Sequence, residues 1–123
     1  MNEDILTKPI GDKEIKKLEA SKVKVIHANI EEKGEKKTKL LVLECKHPQQ
    51  EEHITLSKVQ FIENKLVKTI GLWINLDEDE NIQKGSALAR FMKWNALLQL
   101  TDLKDKELET VLDEKGYLVI KAY

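Results

Sequence analysis

The chain is poor in several residue types, and each shortage removes a class of explanation. It has one cysteine, two prolines and only two each of Phe, Trp and Tyr, and Arg90 is the sole arginine among 21 basic residues. A lone cysteine, Cys45, cannot close an internal disulfide, so a cystine-stapled secreted scaffold is excluded and a reducing compartment is expected. No apolar run approaches the roughly 20 residues that span a bilayer as a helix. The opening MNEDILTKPIGDK places acids where a secretory signal has a basic region and an apolar block. A cytoplasmic protein with no membrane partner is the expectation. Because lysine supplies nearly all the positive charge, the planar fork that reads guanine or clamps phosphate with two bonds exists only at Arg90. Sequence-specific base reading is therefore not expected.

Charge of one sign is also lacking. The 22 acids offset the 21 basic residues to a formal net charge of −1, so there is no basic arm of the kind that binds nucleic acid by counterion release alone. What the chain does have is 41% hydrophobic residues, enough for one core in 123 residues, and 35% charged residues to cover it. No repeat, linker or low-complexity tract divides it, so residues 1–123 read as a single domain.

Along the chain, residues 1–22 form an N-terminal segment in which Asp12 as N-cap, with Ile15 and Leu18 three apart, predicts a short helix over 12–20. A β-rich region, 23–123, follows. VKVIHANI (23–30) and TKLLVLECK (38–46) flank the polar turn around Gly34 and read as a hairpin. HITL, VQFI and LVKTIGLWINL continue the strands, with a turn at Glu63-Asn64-Lys65. A helix over 86–98 comes next, and then LETVL and YLVIKAY are joined by Asp113-Glu114-Lys115-Gly116 as a last hairpin. The order predicts a mainly β fold with an inserted helix, a small OB-like, partly open β-barrel. The alternative is an α+β fold with helices on one face of an antiparallel sheet. The run KGSALARFMKWNAL, followed by DLKDKELETVLDEKGYLVIKAY, resembles the C-terminal half of small uncharacterised phage and archaeal proteins, covering about 40 residues. That resemblance implies an OB-like fold and single-stranded DNA binding.

The stretch LDEDENIQKGSALARFMKWNAL (76–97) puts four acids before Lys84-Gly85-Ser86. Asp77, Asp79 and Asn81 imitate the first ligands of a calcium loop, but Ile82 stands where the loop needs glycine and Leu88 where it needs a bidentate glutamate. The order Lys-Gly-Ser is not that of a phosphate loop, and the acids would repel an anion. Ser86 as the N-cap of a helix is the simpler reading. On that helix Leu88, Phe91, Trp94 and Leu98 fall on one arc, read as core, while Arg90, Lys93 and Leu97 point away.

Cys45 and His47, two apart in a strand, share a face, and His53 lies beyond Pro48. Even with Glu51 this is a thin zinc set, so no metal or other cofactor is expected. Neither Cys45 nor Ser86 sits in a nucleophile motif, and catalysis is not expected. The remaining constellation is aromatic. Strand alternation puts Leu66, Ile70, Leu72, Ile74 and Leu76 inward and Val67, Thr69, Gly71, Trp73 and Asn75 outward. In the last strand it puts Leu118, Ile120 and Ala122 inward and Tyr117, Val119, Lys121 and Tyr123 outward. Outward aromatics beside lysines suit a groove for single strands. Trp73, Tyr117 and Tyr123 would stack bases, and Lys46, Lys68, Lys84 and Lys121 would track the backbone. The competing expectation is that another protein or a second copy of the chain covers the same aromatics.

Overall fold

The computed structural model describes residues 18–123. The expected helix over 12–20 falls mostly outside the described residues, and residues 18–20 are not helical. Eight strands follow: β1 (Val23–Lys33), β2 (Thr38–Lys46), β3 (Ile54–Leu56), β4 (Lys58–Glu63), β5 (Leu66–Gly71), β6 (Glu107–Leu108), β7 (Thr110–Leu112) and β8 (Leu118–Lys121). One helix, α1 (Ala87–Trp94), and a 3-10 turn, Leu100–Leu103, lie between β5 and β6.

The turn residues set the hairpins. Gly34 at φ +74° closes β1 to β2, and Gly116 at φ +84° closes β7 to β8. Asn64 and Lys65, both at positive φ (52° and 67°), make the two-residue turn between β4 and β5. Two four-stranded sheets result, in the orders β3-β2-β1-β6 and β5-β4-β8-β7. They are one circuit. β3 runs through Ser57 directly into β4, and β6 runs through Glu109 into β7, so each of these chains serves both sheets. With each pair counted as one bent strand, five strands close in the sense β1, β2, β3/β4, β8, β7/β6 and back to β1. All contacts are antiparallel except β4 with β8. A parallel contact needs a long crossover, which the segment containing β5 and α1 supplies.

This is the small, partly open barrel of OB type that the element order predicts, and its first sheet is strongly curled. Part of the bend is local. The β1–β2 register slips between Val25 and His27, a bulge at Ile26. Val25 then turns its backbone to the other neighbour, its N–H donating to Lys106 O at 2.8 Å while its carbonyl accepts from Asp105 N at 2.9 Å.

The core fills the barrel. Val23, Val25, Leu41, Leu43, Val59, Phe61 and Ile120 point in from the strands, and Leu88, Phe91 and Met92 of α1 close one end. Ser86 is the N-cap, accepting from Ala89 N at 3.1 Å while its hydroxyl donates to Gln83 O at 2.8 Å. The acids ahead of it form a solvated turn, in which Asp77 Oδ1 accepts from the amides of Asp79 and Asn81 at 2.9 and 3.0 Å.

The helix is shorter than its periodicity suggests, ending at Trp94 rather than 98. Ala96 adopts φ 55°, and the amides of Ala96 and Leu97 return to the carbonyls of Lys93 and Met92 at 3.2 and 2.8 Å. That is a Schellman ending with alanine where glycine is usual. It redirects the side chains. Leu97, expected to point away, is buried, whereas Leu98 is 93% exposed and Trp94 is 53% exposed, although both were expected in the core. Among the described residues no helix is long and apolar enough to cross a membrane.

Candidate binding face

The pairing of β4 with β5 decides which side chains face outward from the second sheet. Val59 and Phe61 are core, so Lys58, Gln60 and Ile62 lie on the outer face. Their cross-strand partners Gly71, Thr69 and Val67 lie there with them. β5 has a strand neighbour only in β4 among the described residues, which is why strict inward and outward labels fail on it: Leu66, Val67 and Ile70 are all exposed. The strand expected to continue to residue 76 stops at Gly71. There the chain leaves β4 and bonds to β2, Leu41 N to Leu72 O and Ile74 N to Lys39 O, both at 2.9 Å. Only Leu72 of that run is fully buried.

Gln60 is the hub of the outer face, with 7% of its surface exposed. Its Nε2 donates to Thr69 Oγ1 at 3.1 Å, and its Oε1 accepts from the Tyr123 hydroxyl at 3.1 Å. Both ends of the amide are thereby used, which fixes the tilt of Tyr123. An open cavity of about 400 Å³ beside it is lined by Lys58, Gln60, Thr69, Asp113, Lys115 and Tyr117. Tyr117 is 68% exposed and sits at the end of the β7–β8 turn. Asp113 Oδ1 sets that turn by accepting from the amides of Lys115 and Tyr117 at 2.9 and 2.8 Å. Trp73 comes to the same face through glycine. A Cβ on Gly71 would stand 2.9 Å from Trp73 Nε1, so the indole lies where a side chain at 71 would be.

The structure therefore brings Trp73, Tyr117 and Tyr123 to one side of the second sheet, and it distributes the lysines differently. Lys121 stands beside Tyr123, its Nζ 5.1 Å from the ring centroid. Lys68 has the opposite parity and is taken up by Glu63 at 2.8 Å, and Arg90 adds a second bond to the same carboxylate at 2.6 Å. The Lys68 hydrogen bond first, and then the Lys68 charge, lower the Glu63 pKa from its ordinary value; desolvation opposes them, and the Arg90 charge adds the smallest lowering. Lys46 belongs to β2 in the first sheet and bonds the Gln50 carbonyl. Lys84 is exposed in the loop before α1. Val119, expected outward beside Tyr117, is buried opposite Val111.

Sequence reasoning missed Gln60, Thr69, Lys58 and Lys115. The signal for Lys58 and Gln60 was the same alternation that marked the aromatics, applied to VQFI. Lys115 needed the turn geometry.

The sulfur and imidazole groups have structural duties. His47 is fully buried, with Nε2 bonded to Glu19 O at 2.8 Å and Nδ1 accepting from Gln49 N at 3.1 Å, so both ring nitrogens are occupied by backbone. Burial first, and then Glu44, push the Cys45 thiol up to about 12, which leaves it protonated and unreactive.

Comparison of the chain with protein-family models, with curated proteins and with solved structures finds no match in any of the three. The functional reading thus rests on this face. It offers three aromatic rings, a side-chain amide held in place, and lysines at the rim alongside Asp113 and Glu114.

Proposed function

We propose that the protein is a non-catalytic module that binds single-stranded nucleic acid weakly and without sequence specificity. The observation that carries the reading is that Gln60 joins Tyr123, through its hydroxyl, to the cavity that Tyr117 lines, with the Trp73 indole packed over Gly71 at the β5 edge of the same sheet. The β7–β8 turn at its edge joins the last two strands of the five-strand circuit, the position of one of the loops with which OB barrels hold oligonucleotides and oligosaccharides. Stacking on aromatic rings tolerates any base, and the scarcity of arginine removes the fork that would read one. Lys58, Lys115 and Lys121 supply phosphate contacts, and Asp113 and Glu114 beside them keep the affinity low.

The test is anisotropy of a labelled mixed-sequence oligonucleotide over a range of salt. Three phosphate contacts give a slope of about −2 in log K against log salt, and Trp73→Ala or Tyr117→Ala each cost roughly 1 to 3 kcal/mol. Binding that holds or strengthens as salt rises would reject the reading. A second reading, contact with another protein or self-association, has an observation of its own. The edge strand β5 is exposed and apolar at Leu66, Val67 and Ile70. Sedimentation of the free chain as a dimer, with no oligonucleotide bound, would favour it.

A further inference from the structure

Beyond the three aromatics of the outer face, a second aromatic site lies round the end of β8, where the sequence pattern had placed a core residue. Trp94 is the last residue of α1 and stands half out in solvent. It lines an open cleft of about 480 Å³ together with Tyr123, Arg90 and Lys93, over a floor of Phe61 and Ala122. The lining holds two cations and no acid. Tyr123 is held by its hydroxyl bond to Gln60, while Trp94 stands on the last turn of α1.

Arg90 is held against the floor. Its guanidinium lies 5.0 Å from the centre of the Phe61 ring, and its one side-chain hydrogen bond among the described residues goes to Glu63 at 2.6 Å. The buried Nε has no partner. A guanidinium has five N–H donors, so this one is under-used at the wall of a cleft. An exposed tryptophan alone would fit any apolar contact. Glu63, the carboxylate on Arg90, is shared with Lys68, so the cations here outnumber it, and two aromatic walls beside that excess positive charge select instead a ligand that is both planar and anionic.

We propose that this cleft holds one nucleotide, its base against Trp94 and Tyr123 and its phosphate at Arg90 and Lys93. The identity of the ligand rests on the single-strand reading above, while the location is separate. Tyr123 is shared by the two faces, so the bound strand runs from the Gln60 cavity over the end of β8 to the C-terminal end of the helix. The same chemistry is offered by a free nucleoside monophosphate and by a nucleotide unit within a strand.

The full chain carrying Trp73→Phe has Trp94 as its only fluorophore of that kind, and the probes are a short oligothymidylate and thymidine monophosphate. Saturable quenching of Trp94 by the oligonucleotide is expected. Trp94→Ala and Lys93→Glu should each weaken binding, the first by roughly 5- to 150-fold, the loss of one stacked base. Displacement of the oligonucleotide by the monophosphate identifies a free-nucleotide site, and its failure to displace identifies a site for a unit within a strand. Trp94 emission unmoved by both probes, while Trp73 in the Trp94→Phe chain is quenched, overturns this inference and leaves the proposed function standing. If neither tryptophan responds, both fall.

Discussion

Two aromatic residues three apart on α1 should differ sharply in what they contribute to stability. Phe91 is completely buried at the closed end of the barrel, whereas Trp94 is half exposed. Phe91→Ala removes a large side chain from contact with the strands and leaves a cavity, at a cost of about 3 to 5 kcal/mol. Against a total stability of about 5 to 15 kcal/mol that is a large share, and the variant should be marginal at 25 °C. Trp94→Ala removes surface that is already wet and creates no cavity, so it should cost about 1 kcal/mol or less. Urea unfolding followed by circular dichroism measures both without relying on tryptophan emission. The midpoint should fall far for Phe91→Ala and little for Trp94→Ala, with unchanged slopes. Equal losses would mean that Trp94 is packed in the core beside Phe91, as the helical periodicity suggests.

Three further outcomes follow from local geometry. Ser86→Ala should destabilise by about 1 kcal/mol and Ser86→Gly by only a few tenths, because glycine tolerates the cap position without the side-chain bond; the melting temperatures of the pair check this. Ala96→Gly should stabilise by up to about 1 kcal/mol, since the Cβ at φ 55° is strained and the return bonds from residues 96 and 97 are kept; a loss of stability would show the position is not left-handed. Cys45, pushed up to about 12 in the fold from an ordinary value of 9.0, keeps its proton where the unfolded chain loses its own. Stability should therefore be full below about pH 9 and decline as pH rises towards 12. A Cys45→Ala comparison isolates that decline, and a thiol reagent should label the native protein far more slowly than the unfolded one.

The hairpins were legible because their turns carry the chemistry: Gly34 and Gly116 at positive φ, and Asn64-Lys65 as a two-residue turn. Ser86 was legible as a cap for the same reason. The end of the helix was not, because no glycine or proline marks it and Ala96 takes the left-handed turn under tertiary constraint. That single residue exchanged the roles of Leu97 and Leu98. Around β8 alternation placed Ile120 in the core but set Val119 outward where it is buried, and it failed in β5, an edge strand whose residues are exposed on both faces. For the site, the rings could be read from the sequence, whereas the amide that ties them together could not. Gln60 matters through partners 9 and 63 residues away, Thr69 and Tyr123. Lysine positions were the least legible, since Lys68 is consumed by Glu63 and Lys46 by a carbonyl.

If single strands lie on the outer face of the second sheet, amide chemical-shift mapping locates them there residue by residue. On titration of an unlabelled oligonucleotide into the isotope-labelled chain at low salt, the amides of Gln60, Thr69, Tyr117 and Tyr123 should move in proportion to saturation. Those of His27 and Asn29 on β1 should stay in place. Shifts centred on β1, or none at all with the oligonucleotide in excess, would rule out binding at that face.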